Sequence, residues 1–320
     1  MTRAFWITAP GSGEIRAEPI REPERAQARV RTLYSGISRG TESLVFNGQV
    51  PVGERARMRA PFQEGDFPAP VKYGYSNVGV VEAGSDNLVG RVVFSLFPHQ
   101  TAFVAPETAL HAVPDEVPPE RAVLASNMET ALNGVWDSDA KPGDRIVVIG
   151  GGAVGCLAAW LAGRIPGTEV CLVDVNPARA GIAARLGVTF AAPAEAPAEA
   201  DLVVHASGTS EGLERALQCA GFEATIVELS WFGARTVSLT LGGAFHARRL
   251  RIQSSQVGQV ATVQRPRWDH ARRLRLALSL LRAPELDALI TGESAFEDLP
   301  RVMGELARGS TDAICHRIRY

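Results

Sequence analysis

Three glycines and one acid carry the clearest chemistry in the chain. Gly150, Gly152 and Gly155 stand at G-x-G-x-x-G spacing, after the apolar run from Ile146 to Ile149 and before a stretch in which Val154, Leu157, Ala158 and Leu161 recur at helical period. One glycine lets the chain turn sharply, the next lets the backbone approach a pyrophosphate, and the third lets helix and strand pack closely. The start of the helix that follows is an anion site, because its first N–H groups have no partner inside the helix. Asp174 lies 19 residues beyond Gly155 at the end of the next strand, where a carboxylate accepts hydrogen bonds from a ribose and repels a 2′-phosphate. The pattern is that of a nicotinamide dinucleotide site, with NAD favoured and NADP left open by Arg179. In a purely structural reading Asp174 is a turn former ahead of Asn176 as N-cap and Pro177 at the first helical position.

The elements that must position these residues change in texture along the chain. Residues 1–117 show short β-like runs broken by turn signals, with candidate strands at 3–8, 14–20, 29–34, 78–83, 91–97 and 101–104. From residue 118 the pattern turns helical and then alternates. Strands are predicted at 145–149, 169–174, 201–206, 224–230 and 249–254, with helices at 153–164, 177–186 and 210–220. Alternation with short links predicts a doubly wound parallel sheet, so the fold class is α/β. The last part, from residue 256, carries predicted helices at 268–281 and 296–307 and a strand at 314–318.

Composition sets outer bounds. With 320 residues, 46% apolar and 21% charged, the chain has room for two domains. A net charge of −2 with interspersed signs argues against nucleic acid as a partner, and no apolar run suits a signal peptide or a membrane span. Cys156, Cys171, Cys219 and Cys315 form no C-x-x-C and read as core residues of a cytoplasmic protein.

The strings YSGISRGTE from Tyr34, PVKYGYSNVGVVEAG from Pro70, GRVVFSLFP from Gly90 and KPGDRIVVIGGGAVG from Lys141 carry a resemblance that extends over almost the whole chain. The sequence resembles the medium-chain dehydrogenase/reductase superfamily of the zinc alcohol dehydrogenase type. That resemblance implies a GroES-like β-barrel catalytic domain from residues 1–117 and 256–320, a Rossmann dinucleotide-binding domain at 118–255, an active site in the cleft between them, and a homodimer. The positions matching the family's catalytic zinc ligands read Ser38, Tyr75 and Ser126, and the four closely spaced cysteines of its structural zinc are missing. Zinc is held by thiolate, imidazole and carboxylate, and a neutral hydroxyl is a poor substitute, so the expectation is no metal. A rebuilt site from Glu42, His99 and Glu129 is the alternative.

Without a Lewis acid the oxygen that gains charge during hydride transfer needs a proton donor. Tyr75 stands where the resemblance places a ligand beside the nicotinamide, and its phenol is the candidate donor; filling the volume of the lost metal is the competing role. Ser38 and Thr41 are candidates to extend a hydrogen-bond chain, and His99 to carry a proton. By the same resemblance Arg39 meets the pyrophosphate, Thr130 and Val154 pack on the nicotinamide, Arg179 contacts the adenosine ribose, Ser207 and Gly208 turn over the cofactor, Ser255 lies near the carboxamide, and Phe97 lines the substrate pocket. The long segment from Pro51 to Pro68, with Arg55, Arg57 and Arg59, is expected to shape that pocket and hints at an anionic substrate. Lys72 should face away from Tyr75, since side chains alternate along a strand. Three functions fit: a zinc-independent NAD-linked dehydrogenase of a secondary alcohol or its ketone, an NADPH-dependent quinone or enoyl reductase, and a dinucleotide-binding sensor or structural protein without turnover.

Overall fold

The computed structural model describes all residues from Met1 to Tyr320, and the chain divides into two compact units, residues 1–126 with 274–320 and residues 127–273. The divisions fall inside two helices. Composition marks where element types change, near residues 117 and 256, whereas the units are divided where packing changes hands. No helix is long and apolar enough to cross a membrane.

The first unit begins with β1 (Thr2–Ala9), β2 (Ser12–Glu18), β3 (Gln27–Ile37) and helix α1 (Arg39–Phe46). Then come β4 (Glu64–Gly65), β5 (Val71–Lys72), β6 (Asn77–Ala83), β7 (Val92–Ser95), β8 (Ala102–Pro106), β9 (His111–Ala112) and the short α2 (Pro119–Ala122). A small antiparallel sheet has the order β2-β1-β5-β4. The larger one runs β16-β17-β3-β6-β7-β9 with β8 also on β3, where β16 (Ile290–Ala295) and β17 (Cys315–Arg319) come from the end of the chain. Strand β17 joins antiparallel to β3, Ile318 opposite Ser35, so sequence-distant residues complete this barrel. Alternating side chains of β3, β6 and β7 such as Val30, Val81 and Val93 close its interior with Phe97 and Phe103. The C-terminal part of this unit also carries α8 (Leu299–Ala307), which packs on α1.

Helix α3 (Ala125–Ser138) leads into the second unit, which is a six-stranded sheet in the order β12-β11-β10-β13-β14-β15. Its strands are β10 (Arg145–Ile149), β11 (Glu169–Val173), β12 (Thr189–Ala191), β13 (Ala200–His205), β14 (Ala220–Glu228) and β15 (Arg251–Ser254), and every pair is parallel. Helices α4 (Ala153–Ala162), α5 (Arg179–Leu186) and α6 (Ser210–Cys219) supply the crossovers, and α7 (His270–Leu280) returns the chain to the first unit. The strands of the centre read as continuous apolar runs because helices cover both faces; Val148, Leu172 and Val203 are completely buried. Strand order reverses between β10 and β13, which opens a crevice at their carboxyl ends. All four cysteines are buried thiols, and burial pushes those of Cys156 and Cys315 up to about 12.

Candidate functional site

The glycine turn in the second unit joins β10 to α4, and its glycines answer to separate constraints. Gly150 has φ +108°, and a Cβ there would lie 2.6 Å from the Ser207 nitrogen. On Gly155 a Cβ would lie 1.8 Å from the Gly150 carbonyl oxygen, which cannot move aside. Gly152, the residue before α4, has nothing within 4 Å of its Cβ position, so the space in front of the helix is open. Open space and the unpaired N–H groups of the first α4 turn, which includes Val154, make an anion cradle. Gly151 is equally constrained although the motif leaves it unspecified: its Cβ would lie 2.9 Å from Arg179 Cγ and 3.1 Å from Asp174 Oδ2.

Asp174 forms the turn read from the sequence. Its Oδ2 accepts the Gly151 N–H at 2.6 Å and its Oδ1 accepts the Asn176 N–H at 2.8 Å, which fixes the carboxylate to the turn. Arg179 is buried, with its stem under Gly151. Across the crevice Ser207 and Gly208 form the turn after β13, and Gly208 N–H donates to Ser230 Oγ at 3.0 Å. Thr130 is half-buried on α3. The Ser255 hydroxyl donates to Asp137 Oδ2 at 2.6 Å and accepts from Asn133 at 3.3 Å, because the helix α3 beside it presents a carboxylate. Residues fitted to a dinucleotide are therefore present in this unit.

The first unit gathers the hydroxyl groups. Ser38 is the N-cap position of α1 and Thr41 lies in its first turn, while Tyr75 precedes β6; the Tyr75 hydroxyl is hydrogen-bonded to both side chains. Burial and the Glu42 carboxylate push the Tyr75 phenol up to about 12, against the opposing pull of the Ser38 and Thr41 hydrogen bonds. The phenol thus stays protonated over the whole physiological range.

Behind it runs a buried chain. Glu42 Oε1 accepts the Ser38 N–H at 2.7 Å, and Glu42 Oε2 lies 2.8 Å from His99 Nε2. His99 Nδ1 lies 2.7 Å from Ser35 Oγ, and Ser35 Oγ lies 2.9 Å from the Tyr320 hydroxyl. A carboxylate only accepts, so a neutral His99 carries its proton on Nε2 and takes the Ser35 hydroxyl proton at Nδ1. Gly74, with φ +131°, makes room for the ring: a Cβ there would be 2.9 Å from His99 Cδ2. Ser35 and Tyr320 escaped the sequence reading because strand pairing across the chain brings them in. Glu42 had a local signal, an acid four residues after a helix N-cap that returns to the cap's N–H.

Phe97 packs in the barrel interior, its ring stacked at 3.9 Å on Phe103 and 5.0 Å on Phe62. Of the arginines between Pro51 and Pro68, Arg57 pairs with Glu54 at 2.6 Å and Arg59 with Asp66 at 2.5 Å. Arg39 donates to the Ala313 carbonyl at 3.1 Å. Lys72 is turned away from Tyr75, as alternation requires, and is held by Glu18 at 2.9 Å and Glu64 at 2.6 Å. The donor set for zinc does not assemble. Ser38 and Tyr75 are hydroxyls engaged with each other, Ser126 is a buried hydroxyl, and nowhere do three His, Cys, Asp or Glu side chains meet. Glu129 is bound to Arg273 at 3.0 Å, and burial still raises its carboxyl despite that partner. Hydroxyls stand at the positions that the resemblance gives to ligands of the ion, where thiolate, imidazole or carboxylate would bind it better.

No family model matches the sequence. D-guloside 3-dehydrogenase of Escherichia coli (strain K12) is 24% identical over 275 residues, 77% of this chain and 78% of that protein. A Sinorhizobium meliloti 1021 protein assigned as a zinc-binding dehydrogenase and bound to NADP superposes with a TM-score of 0.80 at 18% identity, covering 100% of this chain and 99% of its own. An alcohol dehydrogenase of E. coli CFT073 complexed with NADH gives a TM-score of 0.77 at 16% identity, with 100% and 99% covered. The fold of this chain, a GroES-like unit and a Rossmann unit, is that of the medium-chain dehydrogenases and reductases.

Proposed function

We propose that this protein is an NAD-linked oxidoreductase that moves a hydride between the cofactor and a secondary alcohol or its ketone, with protein hydroxyls in the place that zinc holds in related enzymes. One observation carries the reading: Tyr75, at a position the resemblance gives to a metal ligand, is a phenol kept protonated and hydrogen-bonded to Ser38 and Thr41. When bound, the nicotinamide supplies or accepts the hydride. The glycine turn and α4 hold the pyrophosphate, and Asp174 accepts from the adenosine ribose. Tyr75 donates a hydrogen bond to the substrate oxygen as charge develops there, and Ser38 and Thr41 keep the phenol oriented. Glu42 and His99 act behind them, the carboxylate discouraging phenolate and the imidazole linking the site to Ser35 and Tyr320. The similarity to D-guloside 3-dehydrogenase supports a polyhydroxylated secondary alcohol such as a hexoside. A cytoplasmic homodimer belongs to the same proposal, supported by four reduced cysteines and by exposed β15 at the sheet edge.

The test combines metal analysis of the purified protein, NADH and NADPH titration by fluorescence, and turnover on a panel of hexosides, polyols, simple secondary alcohols, ketones and quinones. The expected result is substoichiometric metal, NADH bound about tenfold or more tighter than NADPH, and turnover of a hydroxyl substrate. Stoichiometric zinc needed for turnover would overturn the metal-free part, and quinone reduction with NADPH would replace the reading altogether. Tight NADH binding without turnover on any substrate would point to a sensor.

A further inference from the structure

Tyr73 lies two residues before Tyr75 and shares its side of the segment, while Lys72, one residue earlier, is carried to Glu18 and Glu64 on the other. The two phenol rings meet edge to face, with centroids 5.9 Å apart and planes at 87°. Phe67, from the long segment that ends at Pro68, packs on Tyr73 at 5.7 Å. Two aromatic neighbours therefore fix the Tyr73 ring, and a phenylalanine in its place would pack equally well.

What the oxygen adds is hydrogen-bonding capacity, and the fold does not use it. Tyr73 is 4% exposed, and its hydroxyl makes no hydrogen bond within the chain. That oxygen is nevertheless not among the polar atoms sealed from solvent without a partner, so the small exposed remainder of the residue includes it. An open phenol oxygen at the end of a buried ring is a group kept for a molecule from outside, since a hydroxyl left without a partner otherwise costs stability.

Its surroundings are those of the hydroxyl site. After burial, the causes that raise the Tyr73 phenol are Tyr75 and the Glu42 carboxylate, and the same carboxylate raises Tyr75, so both phenol oxygens lie within the field of one acid. Tyr73 stays protonated and offers both a donor and an acceptor. The two phenols differ in what holds them. Tyr75 is tied to Ser38 and Thr41, whereas Tyr73 is oriented by ring packing alone.

Resting on the reading of Tyr75 as the donor to the reacting oxygen, we infer that Tyr73 is a specificity-determining residue whose hydroxyl bonds a second hydroxyl of the substrate, beside the one oxidised. The substrate class is then a vicinal diol or polyol, not a simple secondary alcohol. A site that bonds a substrate hydroxyl discriminates against the analogue lacking it, because binding that analogue leaves the site's own polar group unpaired.

The test measures oxidation by the full chain, with NAD as the oxidant, of vicinal cyclohexanediol and of cyclohexanol, which share a ring and differ by one hydroxyl. In the wild type kcat/KM should favour the diol by about 10-fold or more, the order expected of one hydrogen bond. Tyr73→Phe should lower kcat/KM for the diol by about 10-fold, change cyclohexanol by less than about 2-fold, and keep NADH affinity. Its Tm should stay within about 1 °C of the wild type, because no bond inside the chain is lost. Tyr75→Phe, by contrast, should lower both substrates alike. A wild type that prefers cyclohexanol, or that oxidises only alcohols with no neighbouring hydroxyl, would overturn the inference and leave the assignment of Tyr75 standing. So would an unchanged diol rate, an equal loss on both substrates, or a clear fall in Tm for Tyr73→Phe. Loss on the diol in Tyr73→Phe with full activity in Tyr75→Phe would instead remove the reading on which the inference rests, and a wild type that oxidises no alcohol would overturn both.

Discussion

Replacing Glu42 by Gln probes the electrostatics of the hydroxyl site without requiring a substrate. Glu42 and His99 side chains are 2% and 1% exposed, and the carboxylate accepts at 2.7 Å from the Ser38 N–H and at 2.8 Å from His99. Glutamine keeps the shape and one acceptor for the Ser38 N–H, and its NH2 donates to His99 Nε2 once the imidazole proton moves to Nδ1, so the loss is the difference between charged and neutral hydrogen bonds, about 1 kcal/mol for each of the two bonds. About 2 kcal/mol corresponds to a fall in Tm of roughly 4–8 °C for a unit of this size. The same carboxylate raises Tyr73, Tyr75 and Tyr320, in each case as a smaller cause than burial. In Glu42→Gln these three phenols should titrate at lower pH than in the wild type while remaining above the ordinary value of 10.0. Alkaline titration of tyrosinate absorbance and calorimetric unfolding measure the two effects. An unchanged Tm together with an unchanged titration would show that the carboxyl carries no charge in the wild type, and the account of Tyr75 as a held donor would fail with it.

Further outcomes follow from the same geometry. Tyr75→Phe removes one oxygen and should lower turnover by about 10²-fold or more while NADH affinity, measured by fluorescence, is kept; turnover within a few-fold of wild type would reduce Tyr75 to a space filler. Gly155→Ala places a methyl 1.8 Å from the Gly150 carbonyl and should abolish measurable NADH binding, with unfolding measured in parallel to separate local from global damage. Stability should fall on the alkaline side. Tyr75 titrates near 12 in the folded chain against 10.0 unfolded, so above pH 10 the unfolded state gives up a proton that the folded state keeps, and stability that is complete below pH 10 is lost as pH climbs toward 12. On the acid side burial lowers His111 and His316, so their contribution is complete above pH 6.5 and is lost as pH falls below it; Tm measured from pH 7 down to pH 5 should decline.

Local pattern determined a good deal on its own. The alternation of apolar runs and helical periods placed β10, α4 and β11 to within a residue or two, because strands covered on both faces leave unbroken apolar runs and glycine spacing reflects contacts made within one turn. Asp174 was legible because its partners, Gly151 and Asn176, belong to the same strand-helix-strand segment. What the tertiary structure alone decided rests on partners that no local rule connects. Tyr320 reaches Ser35 across 285 positions because β17 returns to pair with β3, and Phe97 turned inward because Phe62 and Phe103 complete a stack around it. His205, Ser207 and Glu228 come together because β13 and β14 are parallel neighbours in register, His205 opposite Glu228. A side chain's chemistry depends on which groups surround it once water is excluded, and that company is chosen by strand pairing and packing across the whole fold.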